Sequence, residues 1–150
     1  MTSILATDLL AVAGRYADPA TWAVPLRFDP TERWYARLAS TGEYEVWALS
    51  WLPGQGTDLH DHGGSSGAFL VVAGELIERT VSGGRLRPHR LTAGASRRFG
   101  PRHVHEVTNR GDQPAVSVHV YRPALRHMTR YHLVDGRLEV AEVALAGVSW

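Results

Sequence analysis

With 150 residues, 44% hydrophobic and 21% charged content and a net charge of +1, the chain reads as one domain with room for a real core, and its charge gives no reason to expect nucleic acid or an anionic membrane as partner. No apolar run approaches a bilayer span, and the opening Met1-Thr2-Ser3-Ile4 lacks the basic start of a signal peptide. The chain has no cysteine, which excludes disulfides, thiolate ligands and a cysteine nucleophile and makes a cytoplasmic location the default expectation.

The first segment has helical spacing. Leu5, Leu9, Leu10, Val12 and Ala13 recur on one face and Gly14 stands near the end. Asp18-Pro19 offers a cap and a first-turn proline, which predicts a second short helix over 19–23. After Pro30 the pattern turns to short alternating runs. Strands are expected at Trp34–Ala39, Tyr44–Trp51, Gly67–Val72, Leu76–Thr80, Arg85–Arg90, Ala95–Phe99, Val104–Asn109, Ala115–Tyr121, Met128–Leu133 and Leu138–Leu145. Thr41-Gly42, Ser82-Gly83-Gly84, Asn109-Arg110-Gly111-Asp112 and Asp135-Gly136 supply turns. Many short strands with close turns indicate an all-β sandwich or barrel, with residues about 1–30 as a short helical N-terminal cap and about 31–150 as the barrel.

The chemistry concentrates around Gly54-Gln55-Gly56-Thr57-Asp58-Leu59-His60-Asp61-His62. On an extended strand i and i+2 share a face, so His60 and His62 can grip one metal ion. His105 adds a third imidazole from a later strand, and three neutral nitrogens leave coordination positions open. His103 competes for the third place; His105 is favoured because it sets the four-residue spacing to Asn109. Asp61 points to the opposite face and reads as a hydrogen-bonding residue. His89, His127 and His132 have no motif partners and read as ordinary histidines. Trp47, Trp51 and Tyr44 read as core or pocket wall.

This arrangement resembles the cupin superfamily, small β-barrels (double-stranded β-helix, or jelly roll) that hold a metal inside. Gly54, His60, His62 and Gly74 stand in the register of its first motif, and His105 with Asn109 matches the His-x-x-x-Asn of its second. Gly67 stands where the first motif has a Glu ligand. In the second motif Gly94 holds the opening position, and Gly100 and Arg102 stand where Pro-x-Gly is usual.

Over about residues 33–123 the resemblance narrows to the cysteine dioxygenase family of thiol dioxygenases. It is carried by Tyr35-Ala36-Arg37, Trp51, His60-Asp61-His62, Gly74-Glu75-Leu76, His105-Glu106-Val107-Thr108-Asn109 and Pro114-Ala115-Val116-Ser117-Val118-His119-Val120-Tyr121. The resemblance implies mononuclear non-haem Fe(II) on His60, His62 and His105 with no carboxylate ligand, so Gly67 at the Glu position fits this family. It implies dioxygen as co-substrate and a small thiol amino acid as partner, L-cysteine going to cysteine sulfinate. Arg37 matches the family Arg that takes the substrate carboxylate, although the turn at Thr41-Gly42 is shorter than in mammalian members. Ser117, His119 and Tyr121 match a relay beside the iron, and their alternation places them on one side of a strand. Mammalian members join this Tyr to a Cys whose position aligns with Gly67, so Tyr121 is expected unmodified.

The alternatives are the same chemistry on another thiol such as 3-mercaptopropionate, whose enzymes tend to carry Gln at the Arg37 position, a non-catalytic metal- or ligand-binding cupin, and a metal-dependent isomerase. A monomer or small homo-oligomer is expected.

Overall fold

The computed structural model describes residues 6–145. Helix α1 (Leu9–Gly14) starts where the Asp8 carboxylate accepts from Leu10 N at 3.1 Å. Leu5, expected on the same helix, lies outside the described residues. Asp18 accepts from Ala20 N at 3.0 Å, but the segment it caps is only a 3₁₀ turn, Pro19–Thr21. Beyond it the described chain is β-structure: β1 (Trp34–Ser40), β2 (Glu45–Trp51), β3 (Leu59–His60), β4 (Ser66–Ala73), β5 (Glu75–Ser82), β6 (Arg85–Thr92), β7 (Ser96–Phe99), β8 (His105–Thr108), β9 (Ala115–Arg122), β10 (His127–Val134) and β11 (Arg137–Leu145). All ten expected strands are present within a residue or two of their expected ends. The two-residue β3 is additional: it is too short for an alternating pattern to reveal.

Two antiparallel sheets face one another, in the orders β1-β2-β9-β4-β7 and β11-β10-β3-β8-β5-β6. This is the all-β double-stranded barrel with a helical cap that the sequence indicates.

Strand β9 fixes the geometry of the interior. Val116, Val118 and Val120 form one face and pack with Leu9, Val12 and Ala13 of α1. Tyr121 and Ala115 belong instead to the second cluster, with Leu49, Trp51, Phe69 and Phe99. Burying each valine under the cap contributes about 1.5–3 kcal/mol. Because the side-chain period of a strand is two, anchoring the valines outward aims Ser117, His119 and Tyr121 inward. Asp8 also pairs with Arg98 of β7 at 3.0 Å, which ties the helix start to the sheet edge.

Two expected motif positions have structural work. Gly74, between β4 and β5, has φ of 73°, and a Cβ there would come within 2.8 Å of Ala115 Cα. Asn109 is fully buried, donates to Trp51 O at 2.9 Å and Gln113 O at 2.8 Å, and accepts from Gly111 N at 3.0 Å. It closes the turn after β8 and pins it to the end of β2.

Candidate metal centre

Three imidazoles meet between the sheets. His60 lies on β3 directly opposite His105 on β8. His62 lies two residues beyond His60, past the end of β3. The expectation that one strand carries both is therefore corrected: β3 stops at His60, and only Asp61 N–H, donating to Thr129 O at 2.9 Å, extends the pairing toward β10. The three still converge. Ring centroids are 4.9 Å apart for His60–His62, 4.8 Å for His60–His105 and 4.9 Å for His62–His105. Their ligand nitrogens lie within 4.8 Å of one another, and all three residues are buried.

Hydrogen bonds select the nitrogen each ring offers. His60 Nδ1–H donates to Asp58 O at 2.7 Å, and His105 Nδ1–H donates to the Glu78 carboxylate at 2.7 Å. Each then presents an unprotonated Nε2, the form a metal requires. Burial, followed by the neighbouring imidazole charges, holds His60 and His62 well below the usual histidine range. Burial also lowers His105, against the pull of Glu78. Three neutral imidazoles are the donor set a divalent transition metal fits. His62 differs: its Nδ1 is buried without a hydrogen-bond partner among the described residues.

Glu78, on β5, was not foreseen as part of the site. Its Oε2 lies 2.7 Å from His105 Nδ1 and 3.2 Å from His103 Nε2, and its Oε1 lies 3.3 Å from Arg97 Nε. Burial acts to raise its pKa, but the hydrogen bonds from His103 and His105 outweigh it and hold the carboxyl well below its usual range. His103, the competing third ligand, belongs to this outer cluster and not to the imidazole triad. The signal for Glu78 was a carboxylate at an inward position of an alternating strand, where an unpaired charge is not tolerated.

The Ser117-His119-Tyr121 row lines up as its alternation indicates. Trp51 Nε1–H donates to Ser117 Oγ at 2.9 Å, and Ser117 Oγ lies 2.7 Å from His119 Nε2. An indole can only donate. The arrangement that uses every proton has Ser117 donating to His119 Nε2, which leaves the His119 proton on Nδ1, 3.5 Å from the Tyr121 hydroxyl oxygen. Tyr121 is then free to aim its own O–H into the cavity. Burial lowers His119 to about 3 and raises Tyr121, so the pair is a neutral imidazole and a protonated phenol. Phe69 stacks on His119 at 5.1 Å and 9° and holds its plane.

A cavity of about 170 Å³ opens beside the imidazoles and is lined by His60, His105, His119 and Tyr121, with Arg33 and Arg130. Arg37 does not line it. In the β1–β2 hairpin Tyr35 pairs with Leu49 and Arg37 with Trp47, so Arg37 faces the same side as these cavity residues but lies nearer the turn, where its side chain is exposed. Arg33, four residues earlier on the same face, does reach the cavity, as does Arg130 from β10. The Arg33 Cζ lies over the Trp51 ring, 5.2 Å from the centroid.

Gly67 pairs directly with Tyr121 on one side and Phe99 on the other. A Cβ on Gly67 would collide with Phe99 Cζ and lie 2.8 Å from both Phe99 Cε2 and Val120 O. Phe99 thus fills the room a side chain would take.

A family model described as cysteine dioxygenase type I matches residues 4–133. Cysteine dioxygenase type 1 of Bos taurus is 27% identical over 129 residues, which cover 77% of this chain and 64% of that enzyme. The chain therefore spans a little under two thirds of that relative's length. Among solved structures, a Klebsiella pneumoniae protein with a double-stranded β-helix domain aligns with a TM-score of 0.59 and 23% identity, covering 78% of this chain and 90% of that one. A Thermus thermophilus protein aligns with a TM-score of 0.59 and 22% identity, covering 66% of this chain and 90% of that one. The likeness to these structures is one of fold, the cupin barrel. The family match extends over most of the sequence, and it follows that the chain belongs to the cysteine dioxygenase type I family.

Proposed function

We propose that the protein is an iron-dependent thiol dioxygenase that converts L-cysteine and dioxygen to cysteine sulfinate. The observation that carries this reading is a small cavity lined by His60 and His105 of a three-imidazole cluster that holds no carboxylate, together with the Arg33 and Arg130 guanidiniums and the buried Tyr121 phenol. His60, His62 and His105 would hold Fe(II). When bound, iron supplies the redox chemistry in which dioxygen is reduced and sulfur is oxidised to sulfinate.

The chain's own residues supply position, charge and protons. Arg33 takes the substrate carboxylate in its planar fork, in the role the family resemblance assigned to Arg37. Trp51 beneath the guanidinium restricts its orientation, so less freedom is lost when substrate binds. Holding the thiol and dioxygen together in a cavity of this size makes their reaction effectively intramolecular. Tyr121, kept protonated by burial, donates a hydrogen bond toward the oxygen that gains charge, and Ser117 and His119 keep the phenol aimed. Glu78 keeps the His105 lone pair turned to the metal.

Oxygen consumption and sulfinate formation by iron-loaded protein, measured over cysteine, 3-mercaptopropionate and cysteamine, test the reading. Cysteine is expected to be the best substrate and cysteamine, without a carboxylate, a poor one. Oxidation of none of these thiols by fully iron-loaded protein would leave a metal- or ligand-binding cupin as the better description.

A further inference from the structure

His62 is held differently from the other two imidazoles. His60 and His105 are each oriented by a hydrogen bond from Nδ1, to Asp58 O and to Glu78. His62 Nδ1 is buried and has no such partner among the described residues. A ligand ring without an orienting hydrogen bond must take its plane from packing.

Two rings supply that packing. Phe99 stacks on His62 at 4.4 Å and 28°, and Tyr121 stacks on it at 5.5 Å and 27°. Phe99 and Tyr121 are themselves 6.3 Å apart, so the three rings form a compact triangle. Phe99 and Tyr121 stand on strands that are not neighbours, β7 and β9, with β4 between them. The β4 residue opposite both is Gly67. Phe99 reaches the triangle by lying over Gly67, in space that a Cβ would occupy.

We propose that Phe99, seated over Gly67, is the positioning residue for the ligand His62, taking the place of an orienting hydrogen bond. The same wedge braces Tyr121, so the plane of the ligand ring and the aim of the phenol are set together. The inference rests on the metal-centre reading above. It predicts that Gly67 and Phe99 act as one unit: a side chain at 67 displaces the Phe99 ring and has the same effect as removing it.

Titration of the purified protein with cobalt(II), followed by its visible ligand-field spectrum, tests this without relying on turnover. Phe99→Leu keeps apolar volume and loses the ring face. It is expected to weaken cobalt(II) binding about tenfold or more, in the range found for loss of an orienting partner, and to shift the ligand-field bands. Gly67→Ala is expected to give the same shift, and the double variant Gly67→Ala/Phe99→Leu to be no worse than either single one. Wild-type affinity and bands in Phe99→Leu, or additive losses in the double variant, would overturn the proposal. Phe99→Met, which also preserves bulk, answers the same question if Phe99→Leu does not fold. Wild type that takes no cobalt(II) would overturn the metal centre itself, an outcome distinct from the others.

Discussion

The guanidinium of Arg33 lies over the indole of Trp51, Cζ 5.2 Å from the ring centroid, and the same indole donates through Nε1 to Ser117 at 2.9 Å. One side chain thereby joins the cation of the cavity to the start of the polar row that ends in Tyr121. The Arg33 guanidinium and the polar row are thus referred to a common rigid ring.

Exchanging Arg33 for Ala is expected to raise KM for cysteine about 10- to 100-fold, the loss of one charge-assisted hydrogen bond. Arg37→Ala is expected to change it less than about twofold, since that side chain lies outside the cavity. Steady-state kinetics on the two variants decide between them; a larger effect at Arg37 would return the carboxylate to the position the resemblance indicated.

Metal analysis of purified variants checks the ligand set. His60→Ala, His62→Ala and His105→Ala should each lose most bound metal, whereas His103→Ala should retain it. Glu78→Gln should weaken metal binding about 10- to 100-fold, because the hydrogen bond to His105 Nδ1 loses its charge. Full metal retention in His105→Ala would assign the third ligand elsewhere.

Tyr121→Phe removes one hydroxyl and nothing else. With matched iron content, kcat for sulfinate formation should fall about 100-fold while metal binding and thermal stability remain near wild type. Equal rates would make the Ser117-His119-Tyr121 row a satisfied polar core with no part in the chemistry.

The pH dependence of stability has a definite sign at His119. Burial lowers its folded pKa from the usual 6.5 to about 3. Between those values the unfolded chain binds a proton that the folded chain does not, so folding stability falls as pH drops from about 6.5 toward 3. The slope from this one residue is about 1.4 kcal/mol per pH unit. Denaturant unfolding of wild type and His119→Asn across that window should show a shallower slope in the variant; parallel curves would mean that His119 takes up its proton without unfolding.

The barrel was legible because it rests on local periodicity, and the imidazole triad because its His-x-His and His-x-x-x-Asn spacings stand in the sequence itself. Alternation marked the strands, and it put Ser117, His119 and Tyr121 on one side of β9. What escaped was set by distances between strands. Glu78 is one inward carboxylate among many strand residues until β8 brings His105 to it. Phe99 looks like ordinary core until the absence of a side chain at Gly67 is set beside it. Arg33 and Arg37 share a face because their offset is even, and their different depths follow from the β1–β2 register, which no local pattern shows. The two-residue β3 has no pattern at all; it exists because β8 and β10 flank it.

That hairpin has a broader consequence. Its turn, residues 41–44, works as a vernier: the number of residues in it selects which member of the inward series 33, 35, 37 is delivered to the cavity. Lengthening the turn by four residues would slide Arg37 to the depth of Arg33 with its facing unchanged. On the proposed role of Arg33, insertions and deletions in this solvent-exposed turn would change which β1 side chains face the cavity without any substitution in its wall.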